Sequence, residues 1–154
     1  LVGSEMCIRD RGKSIYKMDK IQESEIETLL KMTNNESTQI ITQEFIEDIY
    51  EGDFRILIIH GKPFKKTLAR IPQGDSFKGN LAAGGKGVVK DISDFQFEMA
   101  SEIGDFLIQK DINFAGIDVI GNFLTEINVT SPTCARQILD QSGENPIQEY
   151  FEKL

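Results

Sequence analysis

The chain has 154 residues, of which 40% are hydrophobic, and this length and composition suit one domain with a sizeable core. Its net charge of −8 argues against a nucleic-acid partner, which would favour a basic face, and no apolar run approaches the roughly 20 residues that span a membrane. With two cysteines, Cys7 and Cys134, and no secretory signal pattern, we expect a reducing, cytoplasmic setting.

Residues 1–11 begin with Leu1 and show neither a helical apolar period nor convincing strand alternation. They resemble a translated sequencing-adaptor tail, so we expect a non-native tail over 1–11 and the domain proper over 12–154. The alternative is a genuine extension without regular structure. In either case we expect the sequence to be truncated.

The first predicted elements are a helix that can start at Asp19 or at Ser24 and a buried strand over 39–46, which is rich in β-branched residues. A hairpin follows. Its outgoing strand covers 54–59, its turn lies at 60–63, and its return strand covers 64–71.

Three charged residues mark the open end of this hairpin. Asp53 and Arg55 share one face of the outgoing strand, and Arg70 lies near the end of the return strand. The two arginines are interpreted as an anion clamp, because guanidinium groups fit phosphate and carboxylate oxygens. The alternative is ordinary solvated charge at the ends of strands.

Glycines make the next stretch, 71–87, too flexible for a predicted strand or helix. Lys78 and Lys86 make it basic within an acidic protein. It is not a phosphate-binding Walker loop, since Gly85 stands where the lysine belongs. A mobile lid over phosphate groups fits this pattern, and a flexible surface excursion is the alternative.

The clearest predicted helix covers 91–110, with a capping box formed by Ser93 and Gln96. Its predicted core face consists of four apolar side chains: Phe97, Ala100, Ile103 and Leu107. A short final helix is expected to begin at Asn145.

Between these helices, two strands are joined by a turn at Gly121-Asn122. Alternation puts Leu124, Glu126 and Asn128 on one face of the second strand. A three-residue loop would set Asp118 opposite Glu126, whereas a two-residue loop would put Asp118 on the far side.

The side chains of Asp118, Glu126 and Asn128 are therefore candidate metal ligands. Two carboxylates about 4 Å apart repel by roughly 4 kcal/mol at an effective dielectric near 20, so such a pair shares a proton, binds a cation or meets solvent. Hard oxygen ligands without His or Cys suit magnesium or manganese. The alternative is an exposed strand face with acidic decoration.

After this strand, Ser131 is a good helix N-cap and Pro132 a good first helical residue, with the end expected near Gly143. The open N–H groups at such a helix start can hold an anionic substrate group.

Four motifs in order, ARIPQG, GNLAAGGKG, GIDVIG and TEINVTSPT, resemble the prokaryotic glutathione synthetase family of ATP-grasp enzymes. The resemblance covers residues 12–154 and corresponds to the C-terminal half of such an enzyme. It implies an α/β (α+β) fold, the ATP-grasp C-terminal domain, with a mainly antiparallel sheet and flanking helices.

The resemblance also implies a reaction in which ATP phosphorylates the carboxylate of γ-glutamylcysteine and glycine attacks the acyl phosphate. Magnesium or manganese is the implied cofactor, and the implied parent is a homo-oligomer with no nucleic-acid or membrane partner. A rival is another ATP-dependent carboxylate–amine ligase. A second rival is a non-catalytic nucleotide-binding module, and this fragment alone is expected to be inactive.

The resemblance assigns roles residue by residue. The metal ligands would be Asp118, Glu126 and Asn128, and the catalytic residues Arg55, Arg70 and Lys78. The ATP-binding residues would be Gln43, Glu44, Phe45, Ile46, Asp53 and Lys86. The substrate-binding residues would be Arg70, Asn128, Ser131 and Thr133. Lys78 and Lys86 stand where the family usually carries arginine, which puts bidentate contacts there in doubt.

Overall fold

A computed structural model describes residues 2–3, 15–18 and 22–154. The chain forms two compact units, Leu1–Glu47 and Asp48–Leu154. Of the predicted non-native tail, 1–11, only Val2–Gly3 lies among the described residues, so that assignment stays a prediction.

Among its described residues, the first unit contains three two-residue antiparallel strands, in the order β2-β1-β3, and one helix. The strands are β1 (Val2–Gly3), β2 (Ile15–Tyr16) and β3 (Ile41–Thr42), and the helix is α1 (Glu23–Met32). The prediction of a buried strand over 39–46 is wrong, because only Ile41–Thr42 is extended and paired, and both side chains are exposed. Strand propensity is a weak guide where so little partner strand is available.

The second unit is a five-stranded antiparallel sheet in the order β6-β5-β4-β7-β8. Its strands are β4 (Asp53–Ile59), β5 (Lys62–Ile71), β6 (Lys86–Asp91), β7 (Phe114–Ile120) and β8 (Phe123–Asn128). Its helices are α2 (Asp94–Ile108), α3 (Ala135–Ser142) and α4 (Pro146–Glu152), with short 3-10 turns at Glu47–Tyr50 and Leu81–Ala83. Among the described residues, no helix combines the length and apolar content required to cross a bilayer.

The central strand β4 is buried on both faces, which explains its uninterrupted apolar run from Ile56 to Ile59. One face packs on α2 through Ile56, Ile58, Ile117 and Val119. The opposite face packs on α3 through Leu57, Ile59, Leu68 and Ile138. Full burial of each such side chain stabilises the fold by about 1.5–3 kcal/mol.

Two predicted elements are present, one of them with a shorter turn than expected. The β4–β5 hairpin is confirmed, but its turn covers 60–61 in place of the predicted 60–63, because β5 already begins at Lys62. His60 and Gly61 both have positive φ, +47° and +77°, as a tight hairpin turn requires. The capping box of α2 is present, with Ser93 N–H donating to Gln96 Oε1 at 3.1 Å and Gln96 N–H donating to Ser93 Oγ at 3.2 Å.

Two details of this region were predicted wrongly. Helix α2 begins at Asp94, not at residue 91, because 86–91 continue as strand β6, which the glycine-rich pattern did not predict. The side chain of Phe97 is 46% exposed, so it does not belong to the core face. That face is centred on Ala100, Gly104 and Leu107.

Helix α2 lies directly on the hairpin turn at Gly104. A Cβ atom added to Gly104 would overlap the carbonyl oxygen of Gly61. Glycine is therefore required by the close approach of two backbones, in addition to the positive φ at Gly61.

Gly104→Ala should lower the free energy of unfolding by about 2 kcal/mol, since overpacking against backbone outweighs the gain of about 1 kcal/mol in helix propensity. Urea titration followed by circular dichroism measures the change. Asp105→Ala, at an exposed position on the same helix, is the control and should change stability by less than about 0.5 kcal/mol. Equal stability of the Gly104→Ala variant and the wild type would contradict this account of the packing.

Candidate functional site

The register of the β7–β8 hairpin places the two candidate carboxylates on one face. Asp118 lies opposite Glu126, and Gly116 lies opposite Asn128. The predicted pairing of Asp118 with Glu126 is therefore confirmed, but the predicted three-residue loop is wrong.

The turn has only two residues, since Ile120 pairs with Phe123. A β-bulge at Thr125 restores the register, and the Thr125 hydroxyl donates to the Asp118 carbonyl at 3.1 Å. The bulge also moves Leu124 opposite Val119, onto the other face from Glu126, contrary to the alternation expected from the sequence.

Asp118 also belongs to a set of four charged residues, Asp53, Arg55, Arg70 and Asp118, hereafter the charge cluster. Arg70 lies opposite Asp53 across β4 and β5, and Asp118 lies opposite Arg55 across β4 and β7. Their exposed fractions are 4–9%. Three neighbouring strands therefore meet in one nearly dry group of two acids and two bases.

Within the charge cluster, each arginine contacts Asp118. Arg55 donates from Nε and Nη2 to its two carboxylate oxygens, the second at 2.9 Å. Arg70 Nη2 lies 2.7 Å from Asp118 Oδ2 and also contacts Asp53 Oδ2. The predicted meeting of both arginines at one end of the hairpin is thus observed, and in this conformation carboxylates of the protein occupy them.

Burial and pairing act in opposite directions on these groups. Burial alone would raise the pKa of Asp118, but hydrogen bonds and charges from Arg55 and Arg70 hold it below its usual range. Burial raises the pKa of Asp53 to about 6, against the lowering effect of Arg70. Burial would lower the pKa of each arginine, yet the carboxylates raise both, so the guanidinium groups stay charged.

One carboxylate oxygen of the charge cluster has no hydrogen-bond donor within the described structure. Asp53 Oδ1 is buried without a hydrogen-bond partner, and within the described residues it is the only side-chain nitrogen or oxygen in that state. Buried polar atoms are nearly always paired, so an unpaired one marks a place where water or a ligand donates. The charge cluster therefore has an acceptor available on the Asp53 side.

Asp118, Glu126 and Asn128 carry the kind of oxygen donors that a hard divalent cation prefers, but in this conformation Arg55 and Arg70 bind both carboxylate oxygens of Asp118. Two carboxylates and one amide share a face at adjacent register positions, with Glu126 exposed and Asn128 half-buried. In the described part of the chain, no group of three or more His, Cys, Asp or Glu side chains is arranged to hold a metal. An ion held here would therefore take further oxygens from ligand or water, as magnesium commonly does.

The segment after β8 does not form the predicted helix start. Helix α3 begins at Ala135 with Cys134 as its N-cap, so the prediction of Ser131 as N-cap and Pro132 as first helical residue is wrong. The Asn128 side chain accepts from Ser131 N–H at 3.3 Å, which holds the backbone in a turn. The predicted end of the helix at Gly143 is confirmed.

Gly116 brings this segment next to the charge cluster. A Cβ atom there would lie 2.8 Å from Pro132 Cβ and 3.0 Å from Arg55 Cδ. Thr133 Oγ1 lies 3.5 Å from Arg55 Nη1. Sequence reasoning missed Gly116, although a glycine inside a strand is a signal of close backbone approach.

The glycine-rich segment 72–85, hereafter the glycine loop, packs on the other side of the charge cluster. A Cβ atom on Gly79 would lie 2.5 Å from the Arg70 carbonyl oxygen and 3.4 Å from Asp53 Cβ. Lys78 is half-buried and its Nζ lies 5.9 Å from the centre of the Phe77 ring. Lys86 lies opposite Ile71, so alternation puts it on the other face of the sheet from Arg70.

The remaining predicted site residues, 43–46, belong to the first unit and follow β3 without regular structure. Gln43 and Glu44 are exposed, whereas Phe45 and Ile46 are half-buried. Lys17 Nζ lies 3.9 Å from the centre of the Phe45 ring, a cation–π distance.

The sequence matches known proteins over most of its length. The family model described as prokaryotic glutathione synthetase, ATP-grasp domain, matches residues 8–143. Glutathione synthetase of Xylella fastidiosa (strain 9a5c) is 41% identical over 143 residues, which cover 93% of this chain and 46% of that protein. Glutathione synthetase of Nitrosomonas europaea is 43% identical over 134 residues, covering 87% of this chain and 42% of that protein. The chain thus spans less than half the length of these curated relatives.

The fold matches solved structures at low sequence identity. The ATP-grasp ligase PsnB complexed with precursor peptide PsnA2 and AMPPNP superposes with a TM-score of 0.58 at 12% identity, covering 92% of this chain and 42% of that one. PsnB complexed with minimal precursor, Mg and ADP gives a TM-score of 0.57 at 12% identity, covering 91% and 42%. At this identity the likeness establishes the ATP-grasp fold and confirms the α/β class expected from the sequence.

Asp53→Asn should remove a pH dependence of stability. With a folded pKa of about 6 and an unfolded value near 3.9, Asp53 keeps a proton that the unfolded chain releases, so the wild-type fold weakens as pH rises from about 4 to 6. The unfolding free energy of the wild type minus that of Asp53→Asn should fall by up to about 3 kcal/mol over this range and then level off.

Urea titrations at half-unit pH steps measure this difference, and Asp105→Asn on the exposed surface of α2 serves as the control. Lowering the pH affects Asp118 in the opposite direction. The pKa of Asp118 is depressed in the folded state, so its contribution to stability is lost when it is protonated. The titration therefore stays above pH 4. A difference that does not change with pH would refute the assignment to Asp53.

Proposed function

Because the chain belongs to the prokaryotic glutathione synthetase family and matches the ATP-grasp domain of that family, we propose that the whole protein joins γ-glutamylcysteine to glycine and converts ATP to ADP and phosphate in doing so. The observation that carries the proposal is the convergence of Arg55, Arg70, Asp118 and Glu126 on one face of the sheet. Phosphoryl transfer to a carboxylate needs positioning and neutralisation of charge more than it needs proton transfer, and these residues supply charge.

The proposed reaction has two steps. A carboxylate oxygen of γ-glutamylcysteine attacks the γ-phosphorus of ATP, and ADP leaves. The glycine amine then attacks the acyl carbon and loses a proton. The bond between that carbon and the bridging oxygen breaks, and inorganic phosphate leaves with the bridging oxygen. Water must be kept out between the two steps, because it competes with glycine for the acyl phosphate.

Arg55 and Arg70 are proposed to stabilise the transferred phosphoryl group. Both are buried and charged, and carboxylates of the protein hold them in place. A phosphate oxygen would therefore bind at the N–H groups that these carboxylates leave open, or would displace a carboxylate oxygen. Asp53 is proposed as an ATP-binding residue, and its unpaired Oδ1 is an acceptor for a hydroxyl or ammonium donor at the site.

Asp118, Glu126 and Asn128 are proposed to hold magnesium, or manganese, between the sheet and the nucleotide phosphates. A divalent ion at this position would neutralise phosphate charge and align the γ-phosphoryl group. Their shared face and oxygen chemistry support the assignment.

The remaining residues are proposed to bind the organic parts of the substrates. Residues 43–46 would receive the adenine largely through backbone groups. Arg70, Asn128, Ser131 and Thr133 would bind the peptide, and the contact of Thr133 with Arg55 supports this placement. The glycine loop would act as the lid, with Lys78 contributing charge to the acyl phosphate. Lys86, predicted as an ATP-binding residue, begins β6 on the other face of the sheet from Arg70, so no contact with ATP is proposed for it.

Several properties of the whole protein belong to the same proposal. It is proposed to be a cytoplasmic homo-oligomer that binds no nucleic acid. The chain as given is proposed to be inactive alone, since it spans less than half of the relatives that it matches.

The proposed reaction is tested with the whole protein in a phosphate-release assay. Release from ATP should require both γ-glutamylcysteine and glycine, with glutathione as the product identified by mass spectrometry. Phosphate release that needs a different dipeptide or a different amine would overturn the substrate assignment and favour the rival ligase.

Glu126→Gln in the whole protein should lower kcat by at least about 100-fold, because a carboxylate ligand to the proposed metal is replaced by a neutral amide. Binding of Mn²⁺, followed by electron paramagnetic resonance, should weaken in parallel. Glu98→Gln makes the same chemical change at an exposed position on α2 and should leave both quantities unchanged. Retained activity and Mn²⁺ binding in a folded Glu126→Gln variant would refute the metal assignment.

A further inference from the structure

Strand β6 is at the edge of the five-stranded sheet, and within the part of the chain that the structure describes it pairs with β5 alone. An edge strand leaves every second peptide group without a backbone partner. On β6, two of these groups meet the same side chain from helix α3. Val89 N–H donates to Gln141 Oε1 at 3.0 Å, and Gln141 Nε2 donates to the Gly87 carbonyl at 3.1 Å.

Gln141 thereby takes the place of a neighbouring strand. A side-chain amide carries the same donor and acceptor as a peptide group, and residues two apart on a strand present their N–H and C=O to the same side. One glutamine consequently completes the hydrogen bonding of β6 over 87–89 and attaches it to α3.

The attachment lies at the exit of the glycine loop, because β6 begins at Lys86, directly after residue 85. Leu81 in the loop packs against the apolar cluster that contains Ile138 of α3. A Cβ atom on Gly87 would lie 3.2 Å from Leu81 Cδ2, so loop and exit strand are also in contact. The loop is therefore held by the packing of Leu81 on the cluster that includes Ile138, and its exit strand is held by the polar contacts of Gln141.

We propose that Gln141 is a positioning residue for the glycine loop. By fixing β6 to α3, it keeps the loop where Gly79 packs on the Arg70 carbonyl, over the charge cluster. The N-cap of the same helix is Cys134, next to Thr133 and its contact with Arg55. One short helix thus sets the position of both the loop and the segment on the other side of the cluster. The consequence for turnover rests on the function proposed above, but the effect on the loop does not.

The effect on the loop is tested with the 154-residue chain, without ligand. Trypsin cleavage after Lys78 reports on opening of the loop. Gln141→Ala should accelerate this cleavage about tenfold, as expected when two hydrogen bonds that oppose local opening are lost. Gln141→Glu keeps the acceptor for Val89 N–H but loses the donor to the Gly87 carbonyl. Its cleavage rate should lie between the rates of the wild type and of Gln141→Ala. Arg136→Ala removes only an exposed ion pair with Asp140 on the same helix and should leave the rate unchanged.

Hydrogen exchange of the Val89 amide tests the contact itself. In the wild type this amide should be protected, although it faces outward from an edge strand, and in Gln141→Ala it should exchange about tenfold faster. An unprotected Val89 amide in the wild type would overturn the proposal even if the variants failed to fold. Normal cleavage after Lys78 in a folded Gln141→Ala variant would overturn it as well.

A third measurement separates this inference from the proposed function. In the whole protein, Gln141→Ala should raise the KM for ATP severalfold and leave thermal stability within the range of Arg136→Ala. If no glutathione forms with the wild-type protein, the proposed function fails while the cleavage and exchange results still decide the role of Gln141. If glutathione forms with unchanged KM in the variant, the role of Gln141 in the reaction is refuted.

Discussion

The carboxylate of Asp118 lies between two guanidinium groups, and the arrangement of the second unit depends on that contact. Arg55 reaches it from the adjacent strand and Arg70 from the strand beyond. Burying an unpaired charge costs several kcal/mol, so the two acids and two bases of the charge cluster are tolerated only together. Because each comes from a fixed register position on β4, β5 or β7, an error in pairing would leave a buried charge alone.

The balance of charge explains how four ionisable groups can be buried together. The charge cluster is neutral as a whole, and its arginines are oriented before any ligand arrives. In the proposed function, anionic phosphate and a divalent cation enter together, so the sum of charges changes little as they bind. Gly116 on one side and Gly79 on the other let backbone approach the arginines closely, since any side chain there would collide with its neighbours.

How far the sequence predicted the structure depends on whether the information was local. The hairpin at His60 and Gly61 and the capping box of Ser93 and Gln96 follow from patterns within a few residues. The facing of Asp118 and Glu126 was predicted for the wrong reason, because a two-residue turn and a bulge produce it in place of a three-residue loop. The helix start at Ser131 failed because the Asn128 side chain and the packing of Pro132 on Gly116 override a good capping sequence. Strand β6 was missed because its glycine and lysines lack strand propensity, whereas pairing with β5 and the Gln141 side chain supply what propensity does not.

The bulge at Thr125 makes the face on which Glu126 lies independent of the length of the β7–β8 turn. In a regular hairpin, adding or removing one turn residue reverses the side of the sheet on which every later side chain lies. Here the extra residue, Thr125, lies between the turn and the acidic pair. If the turn were one residue longer and the bulge were absent, Asp118 would still pair with Glu126. Related chains can accordingly differ in the length of this turn while the position of Glu126 above the sheet is preserved.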